Sequence, residues 1–330
     1  MRKIIDILLS LVRRDERFVI SLYQTFTTYA RVLTRTKMLN FGFWSQETYN
    51  IKQAQLALCR LTSDMAELDT AKNVVDVGSG YLGPADIWKS EHESIKNLIS
   101  VDINFEALRM SRFNILRVTH ETEILIEPPG STFVTDEMNI TNHSNRLSAV
   151  NGTATCLPFV NSFADRIVAL ESAQHFKSFL KFIQESHRVL KKGGIILIAI
   201  PVVTRPKAIG MSRKIGLFDC LRSIKVLGIL SLTWASQHYD LDWIKSVILK
   251  ENLVINNLIT IGQSVYIPLA DFYLQDRKEF RGAIIGKRNS FFKNFALDIA
   301  ERILHRSALK MKQLSLSGDI DYVLIKVSKN

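Results

Sequence analysis

Val74-Val75-Asp76-Val77-Gly78-Ser79-Gly80-Tyr81-Leu82-Gly83 is the stretch that decides the fold. An apolar run that ends in glycines reads as a buried strand turning sharply at its carboxyl end. Glycine reaches backbone angles closed to other residues and lets the main chain approach a ligand closely. The next apolar run, Leu98-Ile99-Ser100-Val101-Asp102, closes on an acidic residue 22 positions after Gly80. A carboxylate at that strand tip is placed to accept both hydroxyls of an adenosine ribose. Two further runs, Arg166-Ile167-Val168-Ala169-Leu170 and Ile195-Ile196-Leu197-Ile198-Ala199-Ile200, follow after amphipathic stretches. That alternation is the mark of βαβ units and a parallel sheet.

Outward from this core, residues 1 to about 70 read as helices. They are interrupted by the turn-like Leu39-Asn40-Phe41-Gly42-Phe43-Trp44, and a following helix carries Ile51, Ala54, Leu56, Ala57 and Leu61 at helical spacing. Beyond Pro201 the pattern predicts a helix over Leu241–Leu249, a strand near Val254–Ile261 and a closing strand Tyr322–Val327, the last two as an antiparallel pair. Residues 118–150 are polar, with Pro128-Pro129-Gly130 and Asn139-Ile140-Thr141-Asn142, and read as an insertion or a long loop. The domain reading is a helical cap over 1–70, a core over 71–202, and an acceptor-side cap over 203–330 that also supplies the last two strands.

Composition sets the class. With 330 residues, 47% of them hydrophobic, and only 15 Gly and 7 Pro, the chain is neither disordered nor collagen-like. Its three cysteines, Cys59, Cys156 and Cys220, are far apart and in no CxxC pair, so neither a disulfide framework nor a zinc site is expected. A reducing, cytoplasmic setting fits. The net charge of +11 favours anionic partners. Residues 1–40 hold eight basic against three acidic residues, and 205–234 hold six against one, both among Leu, Ile, Phe and Val. Peripheral contact with an anionic membrane through 1–40 and 205–234 is therefore an expectation, beside the plainer reading of solvated helix faces. The apolar start Ile4–Val12 is interrupted by Asp6 and followed by Arg13 and Arg14 with no small-x-small site, so export is not expected.

Taken alone, Gly78-x-Gly80-x-x-Gly83 with Asp102 also fits a nicotinamide dinucleotide site. Asp76 speaks against that, because it would set a carboxylate near a pyrophosphate, whereas it suits a cationic amino group. Downstream stand Gly152-Thr153-Ala154-Thr155-Cys156-Leu157-Pro158-Phe159 and the run from Glu185 through Arg188-Val189-Leu190-Lys191-Lys192-Gly193-Gly194. With these the chain resembles a class I S-adenosylmethionine-dependent methyltransferase. Met38–Trp44 and Leu170-Glu171-Ser172-Ala173-Gln174-His175-Phe176 are similar to the small-molecule branch of macrolide and glycoside O-methyltransferases, tocopherol-type C-methyltransferases and phosphoethanolamine-type N-methyltransferases.

The resemblance implies an α/β fold: a Rossmann-like, seven-stranded, mainly parallel sheet with an N-terminal helical cap and a second cap inserted after the fifth strand. It implies S-adenosylmethionine as cofactor, with Gly78, Ser79 and Gly80 against its methionine and ribose part. Asp76 reaches the amino group, Asp102 holds the ribose, and Ile103, Thr153 and Ala154 lie beside the adenine. Thr153 stands where the family commonly has an acidic residue. The family's third glycine falls at Leu82 while this chain has Gly83, which predicts a one-residue change in the loop. Phe43 and Trp44 are candidates to cover the sulfonium, since aromatic faces favour cations.

Methyl transfer from a sulfonium is an in-line displacement that needs no metal, so none is expected. His175, just past a strand end that faces the cofactor crevice, is the candidate general base for a hydroxyl acceptor, and Glu171 is a candidate beside it. O-methylation of a small, natural-product-like or lipid-like acceptor is the leading expectation. C- or N-methylation and a non-catalytic, partner-docking role are the alternatives. No base-flipping motif follows the fourth strand, so nucleic acid is not an expected substrate.

Overall fold

The computed structural model describes residues 36–110, 115–118, 124–127, 146–176, 178–204, 240–284 and 291–330. Of the two basic apolar stretches, 1–40 and 205–234, all but residues 36–40 lie outside the described residues. The chain divides into two compact units. One comprises Met1–Ala57, Pro201–Leu241 and Thr260–Tyr322; the other comprises Leu58–Ile200, Asp242–Ile259 and Val323–Asn330.

In chain order the elements are α1 (Ile51–Met65), a 3-10 turn (Leu68–Thr70), β1 (Asn73–Val77), α2 (Gly83–Glu91), β2 (Asn97–Asp102), α3 (Phe105–Met110), β3 (Ile115–Val118), β4 (Ile124–Glu127), β5 (Arg146–Asn151) and β6 (Ala164–Leu170). A second 3-10 turn (Ala173–His175) leads to α4 (Phe179–Val189), β7 (Leu190–Val203), α5 (Leu241–Lys250), β8 (Leu253–Thr260), α6 (Gly262–Gln275), α7 (Arg277–Ile284), α8 (Phe291–Leu316) and β9 (Ile320–Lys329).

The sheet runs β4-β3-β5-β2-β1-β6-β7-β9-β8. Its β5-β2-β1-β6-β7-β9-β8 portion is the expected seven-stranded sheet, and the pairs β5/β2, β2/β1, β1/β6 and β6/β7 are all parallel. Of the two readings of 118–150, an insertion or a long loop, the loop is corrected for the described residues. Ile124–Glu127 pairs antiparallel with Ile115–Val118, and together they extend the sheet by two strands beyond β5. Arg146–Asn151 is a full parallel partner of β2, in register from Asn97↔Arg146 to Asp102↔Asn151. A strand paired on both sides gains its backbone hydrogen bonds whatever its own sequence, so the sheet overrides a weakly apolar pattern.

Burial follows from the strand pattern. Val74 to Val77, Ile167 to Leu170 and Ile195 to Val203 are buried almost continuously, as parallel strands covered on both faces must be. Trp88 on α2 is completely buried, and its indole Nε1 donates to Cys59 O at 2.9 Å. Phe179 and Phe182 on α4 cover the sheet, with Phe179 packed 5.8 Å from Trp243 of α5.

At the amino ends of the strands Asp165 acts as a staple. Its Oδ2 accepts from the Lys72 and Asn73 amides at 3.0 and 2.8 Å, and its Oδ1 accepts from Lys191 Nζ at 2.7 Å. Hydrogen bonds to a charged group contribute more than neutral ones, so Asp165→Ala should lower stability by about 1.5–3 kcal/mol. Chemical denaturation would measure it. Because Asp165 stands at the strand ends opposite the glycine turn, ligand affinity at that turn should be unchanged.

In the other unit, Gln55 pins the turn before α1. Its Nε2 donates to Met38 O at 3.2 Å and to Asn40 O at 2.9 Å. Gly42 is left-handed at φ +82, and a Cβ there would lie 2.6 Å from Ala54 Cβ, so the turn packs directly on the helix. Phe41 and Tyr322 pack on Tyr266, with ring centroids 6.1 and 6.3 Å away. The buried carboxylate of Glu301 on α8 accepts from Tyr273 Oη at 2.9 Å and from Arg277 Nε at 2.7 Å, which ties α6, α7 and α8 together.

Candidate active site

The carboxyl ends of β5, β2, β1 and β6 lie side by side because those four strands are adjacent and parallel. Between β1 and β6 the strand order reverses direction, and an open α/β sheet leaves its ligand crevice there. β1 delivers Gly78, β2 delivers Asp102 and Ile103, β5 delivers Gly152 through Ala154, and β6 delivers Glu171 through His175.

The glycine turn is tightly determined. Gly78 and Gly80 are left-handed, at φ +78 and +56. The Gly78 amide donates to Val101 O at 2.7 Å, and the Gly80 amide donates to Asp102 Oδ2 at 2.7 Å. A Cβ on Gly78 would fall on Ser172 Cβ, 2.9 Å from Ser172 Oγ and 3.3 Å from Phe176 Cε1. Glycine is demanded there by the loop after β6. Ser172, which the sequence did not single out, also donates through Oγ to Val77 O at 2.5 Å and so fastens that loop to the strand before the turn.

The expected one-residue shift of the loop is not found. Leu82 itself takes the left-handed conformation, at φ 61 and ψ 18, and stands immediately before α2 while completely buried. Gly83 is the first helical residue, followed by Pro84, whose fixed φ suits a helix start. Burial of the Leu82 side chain offsets the strain, about 1–2 kcal/mol, of a left-handed non-glycine residue.

Asp102 is held by its neighbours. Oδ2 takes the Gly80 amide and Oδ1 takes the Asn104 amide at 2.7 Å. Asn151 Nδ2 donates to the carbonyls of Asp102 and Ile103 at 2.9 and 3.1 Å, and the Gly152 amide donates to Asp102 O at 3.1 Å. Asn151 thus joins the ends of β5 and β2, a role the sequence hides because the apolar pattern of Arg146–Asn151 is too weak to mark a strand. Burial raises the Asp102 carboxyl above the usual range against the pull of the two amides.

Asp76 sits one layer deeper, 2% exposed, and accepts from Ser100 Oγ at 3.2 Å. Burial pushes its pKa up to about 7, with the nearby Asp102 adding to the rise. Ser79 is 8% exposed, and its buried Oγ has no hydrogen-bond partner among the described residues. A buried hydroxyl without a partner is costly, and at a glycine turn it is a natural contact for a polar ligand.

Past β6, Glu171 is left-handed at φ +51, with its amide donating to Ala199 O at 2.9 Å. Strain of this kind concentrates at functional sites. His175 follows in a 3-10 turn whose amide donates to Ser172 O at 2.9 Å. The residue is half-buried with Nδ1 enclosed, and desolvation of the ring pushes its pKa down to about 3. The imidazole is therefore neutral near pH 7 and a weak base. At the neighbouring turn, Thr153 Oγ1 lies 3.1 Å from Thr155 Oγ1, and Ala154 is buried. Glu185 Oε2 accepts the Leu157 amide at 2.8 Å while Arg188 donates to the Leu157 and Phe159 carbonyls, so α4 holds the Leu157-Pro158-Phe159 turn.

Phe43 and Trp44 belong to the other unit, where the Trp44 amide donates to Ser264 O at 2.8 Å and its ring packs 5.4 Å from Phe272. Among the described residues no three His, Cys, Asp or Glu side chains gather as metal ligands.

Residues 75–198, which hold all of these strand ends, match the family model described as a methyltransferase domain. The chain has the class I methyltransferase fold. Over 176 residues the chain is 25% identical to erythromycin 3''-O-methyltransferase of Saccharopolyspora erythraea, a match covering 53% of this chain and half of that relative's length. Solved methyltransferase-fold structures agree across nearly the whole chain. A cyclopropane synthase of Mycobacterium tuberculosis aligns at TM-score 0.63 and 14% identity, covering 91% of this chain and 93% of that one. Geranyl diphosphate C-methyltransferase of Streptomyces coelicolor, seen with Mg2+, geranyl diphosphate and S-adenosyl-L-homocysteine, aligns at TM-score 0.59 and 10% identity, covering 91% and 92%.

Proposed function

We propose that this chain transfers a methyl group from S-adenosylmethionine to a small or amphipathic, natural-product-like or lipid-like acceptor, with oxygen as the receiving atom. The observation that carries the reading is the gathering of Asp76, Ser79, Asp102, Thr153 and His175 at adjacent parallel strand ends around one glycine turn. The residues suit the cofactor. The unpartnered Ser79 hydroxyl and the buried Asp76 carboxyl await a polar, cationic group, and each Asp102 oxygen keeps acceptor capacity beyond its one amide. In this reading Asp102 takes the ribose hydroxyls and Asp76 the amino group. Ile103 and Ala154 border the adenine, and the Thr153 hydroxyl replaces the acidic residue common in the family.

S-adenosylmethionine supplies an electrophilic methyl on a sulfonium. His175, unprotonated at working pH, accepts the hydrogen bond of the acceptor hydroxyl, orients its lone pair, and would take the proton as the oxygen–carbon bond forms and the methyl–sulfur bond breaks, with the neutral thioether leaving. The named activity of the Saccharopolyspora erythraea relative supports oxygen. A second reading, transfer to carbon, is favoured by the low basicity of His175, because a carbon nucleophile does not surrender a hydroxyl proton.

Calorimetric titration with S-adenosylmethionine and with NADH tests the class, with Asp102→Ala as control. Micromolar binding of the first, weakened at least about tenfold in the variant by loss of a charged acceptor, is expected; binding of NADH alone overturns the reading. In a screen of amphipathic alcohols and glycosides with labelled methyl, His175→Ala should lower kcat for O-transfer about a hundredfold or more. Unchanged kcat would remove His175 from the chemistry.

A further inference from the structure

The positive surplus is confined to one of the two units. Met1–Ala57, Pro201–Leu241 and Thr260–Tyr322 together carry 25 Lys and Arg against 13 Asp and Glu, whereas the sheet-bearing unit carries 18 against 19. One unit is thus near +12 and the other near −1. A charge imbalance of this kind orients a molecule in the field of an anionic surface and speeds its capture there. The basic unit also has an outward face that combines cations with exposed apolar side chains. Along α8, Arg302, Arg306, Leu309, Gln313 and Leu316 recur at alternating steps of four and three and are all exposed, while Glu301, Ala308, Met311 and Ser315 on the other side are buried. Leu309 is 48% and Leu316 62% exposed, an unusual state for leucines two turns apart on one face.

We propose that the basic unit docks on an anionic lipid bilayer, with the Arg302-Arg306-Leu309-Gln313-Leu316 face of α8 against the membrane. Arginine and lysine attract the lipid phosphates over about a Debye length, roughly 10 Å at moderate salt, and set the orientation. The two leucines then enter the headgroup boundary, where burying apolar surface adds to the attraction while the long arginine stems keep their guanidinium groups at the interface. The leucines decide between a bilayer and a nucleic acid, since a phosphodiester backbone would satisfy the arginines and leave Leu309 and Leu316 in water. The same pairing of Arg and Lys with Leu, Ile and Phe recurs in the sequence at 1–35 and 205–239, and both segments belong to this unit. Among the described residues no helix is long and apolar enough to cross a membrane. The inference is independent of the transferase reading.

Co-sedimentation of the full chain with vesicles tests it, comparing mixed phosphatidylglycerol and phosphatidylcholine with phosphatidylcholine alone at low and high salt. Binding to the anionic vesicles, weakened at least about tenfold on neutral ones and reduced by salt, is expected. The double variant Leu309→Glu, Leu316→Glu should weaken binding to anionic vesicles about tenfold with an unchanged Tm, since both positions are exposed. Arg306→Glu should steepen the loss at low salt. Wild-type binding indifferent to lipid charge, a double variant that binds as tightly as wild type, or retention by single-stranded RNA with no binding to vesicles would each overturn the proposal.

Discussion

Gly78→Ala is expected to abolish S-adenosylmethionine binding and to lower stability by about 2–4 kcal/mol. Two costs meet at this position. The backbone is left-handed at φ +78, which strains any residue carrying a Cβ. That Cβ would also coincide with Ser172 and press on Phe176, so the loop after β6 must retreat and the Ser172 Oγ bond to Val77 O must break. Because the same loop carries His175 and the same turn presents Ser79 and the Gly80 amide, one methyl group displaces both halves of the candidate site. Gly193→Ala is the matched control. Its φ is +73, yet nothing stands within 4 Å of the added atom, so only the strain of about 1–2 kcal/mol should appear, with cofactor affinity intact. Thermal unfolding and calorimetry separate the cases, and the double variant Gly78→Ala, Ser172→Gly should recover part of the binding. A Gly78→Ala protein that binds as wild type would show that Ser172 does not fix this turn.

This contact also marks the limit of what a sequence makes legible. The apolar runs at Val74–Val77, Leu98–Asp102, Arg166–Leu170 and Ile195–Ile200 announce buried parallel strands, because both faces of such strands are covered and no alternation dilutes the signal. Asp102 is legible as a strand-tip carboxylate beside the glycine turn, because that placement depends only on the strand end and its distance from the glycines. The strand Arg146–Asn151 was not readable, since Leu147, Ala149 and Val150 stand among polar residues and β5 owes its existence to pairing with β2 on one side and β3 on the other. Ser172 meets Val77 across 95 residues, and no local pattern records such a contact. Leu82 shows the opposite failure. Gly83 suggested a shifted loop, yet a fully buried leucine adopts the angle usually left to glycine, because the packing of its side chain outweighs the backbone preference.

Cofactor affinity should rise steeply with pH between about 5 and 7, by up to about tenfold per unit and roughly a hundredfold across the range. The cause is Asp76. Burial, and then the nearby Asp102, hold its pKa at about 7, so below that pH the carboxyl is neutral in the free protein. In the proposed site the cationic amino group of S-adenosylmethionine is held by this carboxylate. Binding at pH 6 therefore releases a proton, and the deficit disappears as pH passes the folded-state value. Stability moves the other way. The folded pKa lies above the ordinary carboxylate value near 4, so Asp76 contributes stability that is full below about pH 4 and is lost as pH climbs from about 4 to about 7. Affinity and stability should thus diverge over one pH window, which a general loss of structure at low pH cannot produce. Asp76→Asn, nearly isosteric and never charged, should flatten both trends and leave affinity at about its low-pH level. Titrations in buffers of differing ionisation heat would count the proton directly. Release of close to one proton at pH 6 by the wild type and none by Asp76→Asn is the expected result, whereas equal release by both would move the titrating group to Asp102, whose carboxyl is also raised by burial.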